Sequence, residues 1–428
     1  MSDTQRSSKL SIRQAAFIGV GAMVGAGIFS LLGPAGEVAG AAVWVSFLIA
    51  GAIAGLQGYS FAKFGARYPS AGGLLEYVQR AYGDGHFTGV IAWLIYATNI
   101  VVTAMVAISF GSYASEMFGD GGTSLLKLFA VLVVVVMTFL NVAGSKAVAH
   151  AQTVVVIVVL GSLIVFAIAT LSNIESGLLD SSGYPPLSDI IASVALTFFA
   201  FLGFGVITFT AKDLAEPSRQ LPRAVLLALG IATTIYVAIA LGVFGTLPVG
   251  EVVESGATAI AVAAQPILGD LGFWMMSITA LFATAGATNA GLYPATGLAD
   301  ELTADGQFPP VMGARTGSIP NGLLITAIAS IMFVLIFDLS AVASIGSAIA
   351  LIVFTLITAG HLRVRSETGA QTWLLVLGVV TSGIVLIAFA VTTLVDEPGT
   401  AIAMLVVLLV SVVLDLTWKQ RRSRSVVA

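Results

Sequence analysis

Runs of about 20 apolar residues recur along the whole chain, separated only by short polar or Gly/Pro-rich breaks, and this succession constrains the fold more than any other feature. Roughly twelve such runs are predicted, at 13–34, 39–62, 87–115, 125–143, 148–171, 188–211, 223–247, 269–298, 319–337, 340–361, 371–393 and 400–418. Each is long enough to cross the hydrocarbon of a bilayer as a helix. With 58% hydrophobic and 9% charged residues, against about 25% charged in a soluble domain, the surface cannot be kept in water. Lipid is its solvent. The prediction is an all-α polytopic membrane protein: an N-terminal tail (1–12), one transmembrane domain (13–418) and a C-terminal tail (419–428).

Charge placement orients the spans. Lys9, Arg13, Lys63, Arg67, Arg80, Lys146, Lys212, Arg219, Arg223, Arg315, Arg363, Arg365 and the basic group 419–424 fall on one side of a twelve-span arrangement, and Lys127 alone on the other. The opposite loops are acidic, with Glu116, Asp120, Glu175, Asp180, Glu251, Glu254, Asp396 and Glu397. The positive-inside rule puts both termini in the cytoplasm, in a plasma membrane crossed many times. The polar, basic start runs straight into a long apolar stretch, so no cleaved signal peptide is expected. No basic stripe suggests a nucleic-acid partner. With no cysteine there is neither disulfide nor thiolate metal site. His86, His150 and His361 are scattered, and no nucleophile–base pair points to an enzyme.

Two glycine groups interrupt these spans. Gly25-Ala26-Gly27 lies in the first and Gly203-Phe204-Gly205 in the sixth. Five spans apart, they reverse in membrane orientation, the pattern of a five-plus-five inverted repeat with discontinuous helices 1 and 6. The first repeat would cover about 13–171 and the second about 188–361, with two extra helices at about 371–418. Unwound backbone is tolerable in hydrocarbon only where a ligand, ion or cavity satisfies it. N–H groups opening the second half-helix favour a carboxylate, and carbonyls near Met23 and Leu202 favour an ammonium or a sodium ion. Close helix packing explains either glycine pair equally well. Both readings stand open here.

The stretch from Ile18 to Phe29 (IGVGAMVGAGIF) resembles the first-helix motif of the amino acid–polyamine–organocation permeases. Tyr68-Pro-Ser-Ala-Gly-Gly73, Phe198 to Phe204 (FFAFLGF), Glu216 to Arg223 (EPSRQLPR) and Asp300 to Pro309 (DELTADGQFP) are similar to further motifs of that family, in its order and over most of the chain. The nearest likeness is to YbaT-like bacterial permeases. The resemblance implies a LeuT-like fold, with an amino acid or related amine held between spans 1 and 6 and walled by spans 3 and 8. On that basis Ala26 and Gly27 meet the carboxylate, Phe199 is an aromatic gate, and Leu202 lines the pocket. Asn99 and Thr103 in span 3 either face the pocket or bond a neighbouring helix.

Two departures from the family shape the expectation. Gly205 stands where cation-carrying relatives often have an acid, so arginine, lysine and polyamines are disfavoured. Gly291 is small where some relatives have an aromatic, which predicts a roomier cavity. Span 5 reads Val158-Val-Leu-Gly161 where proton-coupled relatives often carry a lysine. A sodium site from Ala22 and Met23 carbonyls with Thr284 and Thr288 is the counterpart, competing with Thr hydroxyls that merely bond back to their own helix. No cofactor is expected beyond Na+ or H+ as coupling ion. The expected function is secondary active transport of a neutral amino acid or similar small zwitterion, as symporter or antiporter. Alternatives are carriage of another small amine, a nucleobase or an inorganic cation, or a channel or sensor on the same scaffold. Its partners would be the substrate and membrane lipid, and no feature fixes an oligomeric state.

Overall fold

A computed structural model describes residues 10–24, 27–68, 73–119, 121–143 and 146–427. The chain is almost wholly helical: α1 (Ile12–Val24), α2 (Ile28–Ala39), α3 (Val43–Arg67), α4 (Gly73–Tyr82), α5 (His86–Phe118), α6 (Thr123–Ala143), α7 (Lys146–Leu171), α8 (Leu187–Phe198), α9 (Gly205–Thr208), α10 (Pro217–Phe244), α11 (Val249–Ser255), α12 (Ala259–Ala304), α13 (Pro310–Gly313), α14 (Asn321–Ile336), α15 (Leu339–Thr368), α16 (Thr372–Asp396) and α17 (Pro398–Val427). A two-residue hairpin pairs Arg315–Thr316 with Ile319–Pro320. Lipid offers backbone groups no partners, so helices that satisfy their own are the expected solution.

Among the described residues, 10 helical segments are long and apolar enough to cross a membrane, and Ile12–Val24 and Asn321–Ile336 are shorter apolar helices. The first predicted span is divided: α1 stops at Val24 and α2 starts at Ile28. The eighth begins where expected, because α12 contains a break at Gly269 with φ +66°, left-handed backbone that glycine adopts without a Cβ clash.

Burial sorts the helices into a centre and a rim. The most apolar stretch of α15 is 78% buried and that of α8 with its continuation 72%, whereas α6 and α17 reach only 17% each. Phe139, Ile168 and Leu409 on the rim are largely exposed, as lipid-facing side chains should be. Glycines let the central helices meet closely. A Cβ on Gly51 of α3 would lie 2.2 Å from Thr233 Oγ1 of α10, and one on Gly242 of α10 2.1 Å from Thr170 Oγ1 of α7. Polar links join α3 to α15 and α16: Gln57 donates to Ser382 Oγ at 2.8 Å and accepts from Thr358, while Ser60 Oγ meets His361 Nδ1 at 2.8 Å.

Candidate functional site

The two interrupted spans cross at their interruptions. A Cβ on Gly27 would fall 2.2 Å from Ala200 Cα, and one on Gly203 2.5 Å from the Ala22 carbonyl carbon. Each glycine therefore admits the backbone of the other span. Gly25 and Ala26 lie outside the described residues. Gly27 precedes α2, and its carbonyl accepts the Ser30 and Leu31 N–H groups at 3.2 Å.

The sixth span differs from the expected break. It stays helical but tightens to 3-10 geometry over Phe199–Phe204 before resuming as α9. The Leu202 carbonyl, expected to be open to an ammonium, accepts the Gly205 N–H. At three residues per turn, side chains i and i+3 line up. Phe199 with Leu202, and Ala200 with Gly203, accordingly face one side, while Phe201 and Phe204 share another that is wholly buried. Phe201 packs on Tyr236 (centroids 5.1 Å) and Phe204 on Phe61 (5.4 Å) and Phe354 (5.5 Å). The Tyr236 hydroxyl donates to the Ala200 carbonyl at 3.1 Å.

A cavity of about 450 Å³ sits at this crossing. Of the residues singled out from sequence, Ala22, Met23, Asn99, Phe199, Leu202, Gly203 and Gly291 line it. Gly27, Thr103, Phe204, Gly205, Thr284 and Thr288 do not. Thr103 donates to the Asn99 carbonyl one turn back, and Thr284 and Thr288 donate to Ala280 and Thr284 carbonyls in their own helix. The expected extra room at Gly291 is not what its small size provides. A Cβ there would lie 2.4 Å from Thr103 Oγ1, so glycine lets α12 close on α5. Asn99 serves both roles weighed for it: it lines the cavity, and its Nδ2 donates to the Gly291 carbonyl at 2.8 Å. Gly205 is buried with nothing within 4 Å of an added Cβ.

Several lining residues escaped the sequence reading. Leu74 comes from α4, Val156 from α7, and Val353 and Phe354 from α15. Helix α4 was overlooked because ten residues with one apolar face fail a search for 20-residue spans. Its Leu74, Tyr77, Val78 and Ala81 follow the i, i+3, i+4, i+7 spacing of one buried face, which would have revealed it. Tyr77 stacks on Phe64 (centroids 4.7 Å, planes 9° apart), and burial pushes its hydroxyl up to about 12, so the ring seals α4 against α3 as a neutral group. Ile18 and Val206, about 40% and 41% exposed, mark where the cavity opens.

Among the described residues no Asp, Glu, Lys, Arg or His side chain lines the cavity, and no His/Cys/Asp/Glu group is arranged to hold a metal ion. The polar cluster after span 6 is loosely paired: Arg219 lies 3.8 Å from Glu216, both exposed, a weak ion pair. The same loop is tethered by the Leu10 N–H donating to the Asp213 carbonyl at 2.8 Å.

Comparison with known proteins agrees with this architecture. Residues 10–415 match the family model described as amino acid permease. The inner membrane transport protein YbaT of Escherichia coli K12 is 32% identical over 375 residues, 87% of either chain. An uncharacterised protein of Methanocaldococcus jannaschii is 32% identical over 369 residues, 86% of this chain and 85% of its own. The serine/threonine exchanger SteT of Bacillus subtilis is 26% identical over 280 residues, covering 63% of this chain and 62% of its own. YbaT and SteT are named as a transport protein and an exchanger rather than as enzymes, and a helical chain with many membrane-crossing segments matched over this length belongs to the amino acid permease family.

Proposed function

We propose that the chain is a secondary active permease carrying a neutral amino acid or a similar small zwitterion across the plasma membrane by alternating access. The observation that carries this reading is the cavity, uncharged among the described residues, that the end of α1 up to Met23 lines together with the 3-10 stretch of span 6. The positive end of α2 at Ile28 and Phe29 suits a carboxylate, while carbonyls closing α1 suit an ammonium. A second positive charge would lack a partner among the lining side chains. That argues against the cationic substrates named for the vacuolar Arabidopsis thaliana relative, which is 26% identical.

The same reading takes α1–α7 and α8–α15 as inverted repeats, with both termini cytoplasmic. Coupling is to Na+, to H+, or to exchange of one substrate for another. Hydroxyl oxygens that donate to helix carbonyls keep lone pairs, so Thr284 and Thr288 remain compatible with a sodium ion near the Ala22 and Met23 carbonyls. Uptake and counterflow of labelled neutral amino acids in proteoliposomes, under imposed sodium or proton gradients, tests the proposal. Saturable accumulation or exchange supports it. Absence of both across the panel rejects it.

A further inference from the structure

Resting on that permease reading, the cavity's lining carries the substrate class further. Three helices face it with stripes at helical spacing: Ile95, Asn99 and Val102 of α5 at i, i+4, i+7; Ala287, Ala290 and Gly291 of α12 at i, i+3, i+4; and Phe17 with Gly21 of α1 at i, i+4. Among the described lining residues, polar side chains are confined to Thr98 and Asn99. Each has one donor committed. Thr98 Oγ1 donates to the Leu94 carbonyl at 2.8 Å, and Asn99 Nδ2 to the Gly291 carbonyl at 2.8 Å. A carbonyl cannot donate, so the amide group facing Gly291 must be the NH2, and Asn99 keeps its second N–H and its Oδ1 acceptor.

Among the described lining residues, one N–H of Asn99 is then the whole side-chain donor supply for a substrate's own side chain. A carboxamide would enter with two donors and an acceptor, and pairing edge to edge with the Asn99 amide would still leave one of its N–H groups unpaired away from water. An apolar side chain meets Ile95 and Val102 of α5, and beside them the small Ala287 and Ala290 of the adjoining α12 leave room for extra length. We infer that the site selects zwitterions with a medium-to-large apolar side chain, the leucine, isoleucine, methionine and phenylalanine class, over neutral polar amino acids of equal size.

The test uses near-isosteric pairs. For the purified full-length protein, leucine against asparagine and methionine against glutamine are compared by ligand-induced thermal stabilisation and by competition for uptake. The apolar member of each pair should bind about tenfold to a hundredfold tighter, the cost of one or two unpaired polar groups. Each added methylene from alanine upward should gain roughly fourfold. Ala287→Leu narrows the cavity along α12 and should weaken phenylalanine by about tenfold or more, and alanine by less. If asparagine or glutamine matches its apolar partner, this selectivity is wrong and the permease reading stands. If Ala287→Leu leaves phenylalanine and alanine equally affected, the assignment of the side-chain wall to α12 is overturned. If no amino acid in the panel binds or is carried, both readings fall together.

Discussion

Gly203 and Gly205 stand two residues apart in one span and answer to different forces. Gly203 is pressed against the backbone of α1 at Ala22, whereas Gly205 has empty space where a side chain would be. A β-branched residue at 203 has nowhere to move, because backbone rather than a flexible side chain is in the way. Gly203→Val should cost about 3 kcal/mol or more by overpacking and lower the melting temperature in detergent. Gly205→Ala should be neutral or stabilising by up to about 1 kcal/mol, since alanine is the better helix former. Equal melting temperatures for the two variants would contradict the crossing described. Sequence singled out both glycines, because the two interruptions lie five spans apart. It could not separate them, since the separation depends on what lies across the gap. Phe204 likewise could not be placed from sequence. Whether it faces the cavity depends on a period of three rather than 3.6, and the two periods diverge within a single turn.

At the level of elements, the apolar runs and the start of span 8 at Gly269 were legible because hydrocarbon imposes length and hydrophobicity directly. Helix α4 was not, since it is too short to span and its amphipathic face buries against α3 and α5 instead of lipid. The C-terminal helix gained a role that its basic end alone does not reveal. Asp415 of α17, fully buried, meets His86 Nδ1 at 2.6 Å and Lys419 Nζ at 3.3 Å, while Trp418 and Arg422 donate to the Gly306 carbonyl at 2.9 and 3.0 Å. This helix thereby straps the beginning of α5 to the turn that follows α12. Asp415→Ala should destabilise by about 1–2 kcal/mol, below the value for fully buried pairs because the His86 side chain is 59% exposed. A melting temperature unchanged by that substitution would remove the strap from the account. Tyr236→Phe deletes the hydroxyl that holds the Ala200 carbonyl and should cost about 1 kcal/mol. If the bond also times the movement of span 6, the uptake rate should change more than the apparent affinity.

For the molecule as a whole, orientation in the membrane rests on charge, and the chain's lack of cysteine makes it measurable. Exposed Ser176, between α7 and α8, and exposed Ser366, in the last turn of α15, are assigned to opposite faces, and each can carry a single cysteine. A membrane-impermeant maleimide applied to intact cells should label Ser176→Cys, and should label Ser366→Cys only after permeabilisation. The reverse pattern would invert the topology. The alternating access proposed above would require a part that changes length or twist without unfolding, and the six residues Phe199–Phe204, held in 3-10 geometry, are where span 6 could do so. A 3-10 turn rises about 2.0 Å per residue and an α turn about 1.5 Å, with about 120° and 100° of rotation each. Relaxing this stretch to α geometry would draw α8 and α9 about 3 Å closer and unscrew one against the other by about 120°. Span 6 thus contains a short spring whose recoil would carry Phe199 off the cavity wall, and spin labels on either side of it would register the stroke.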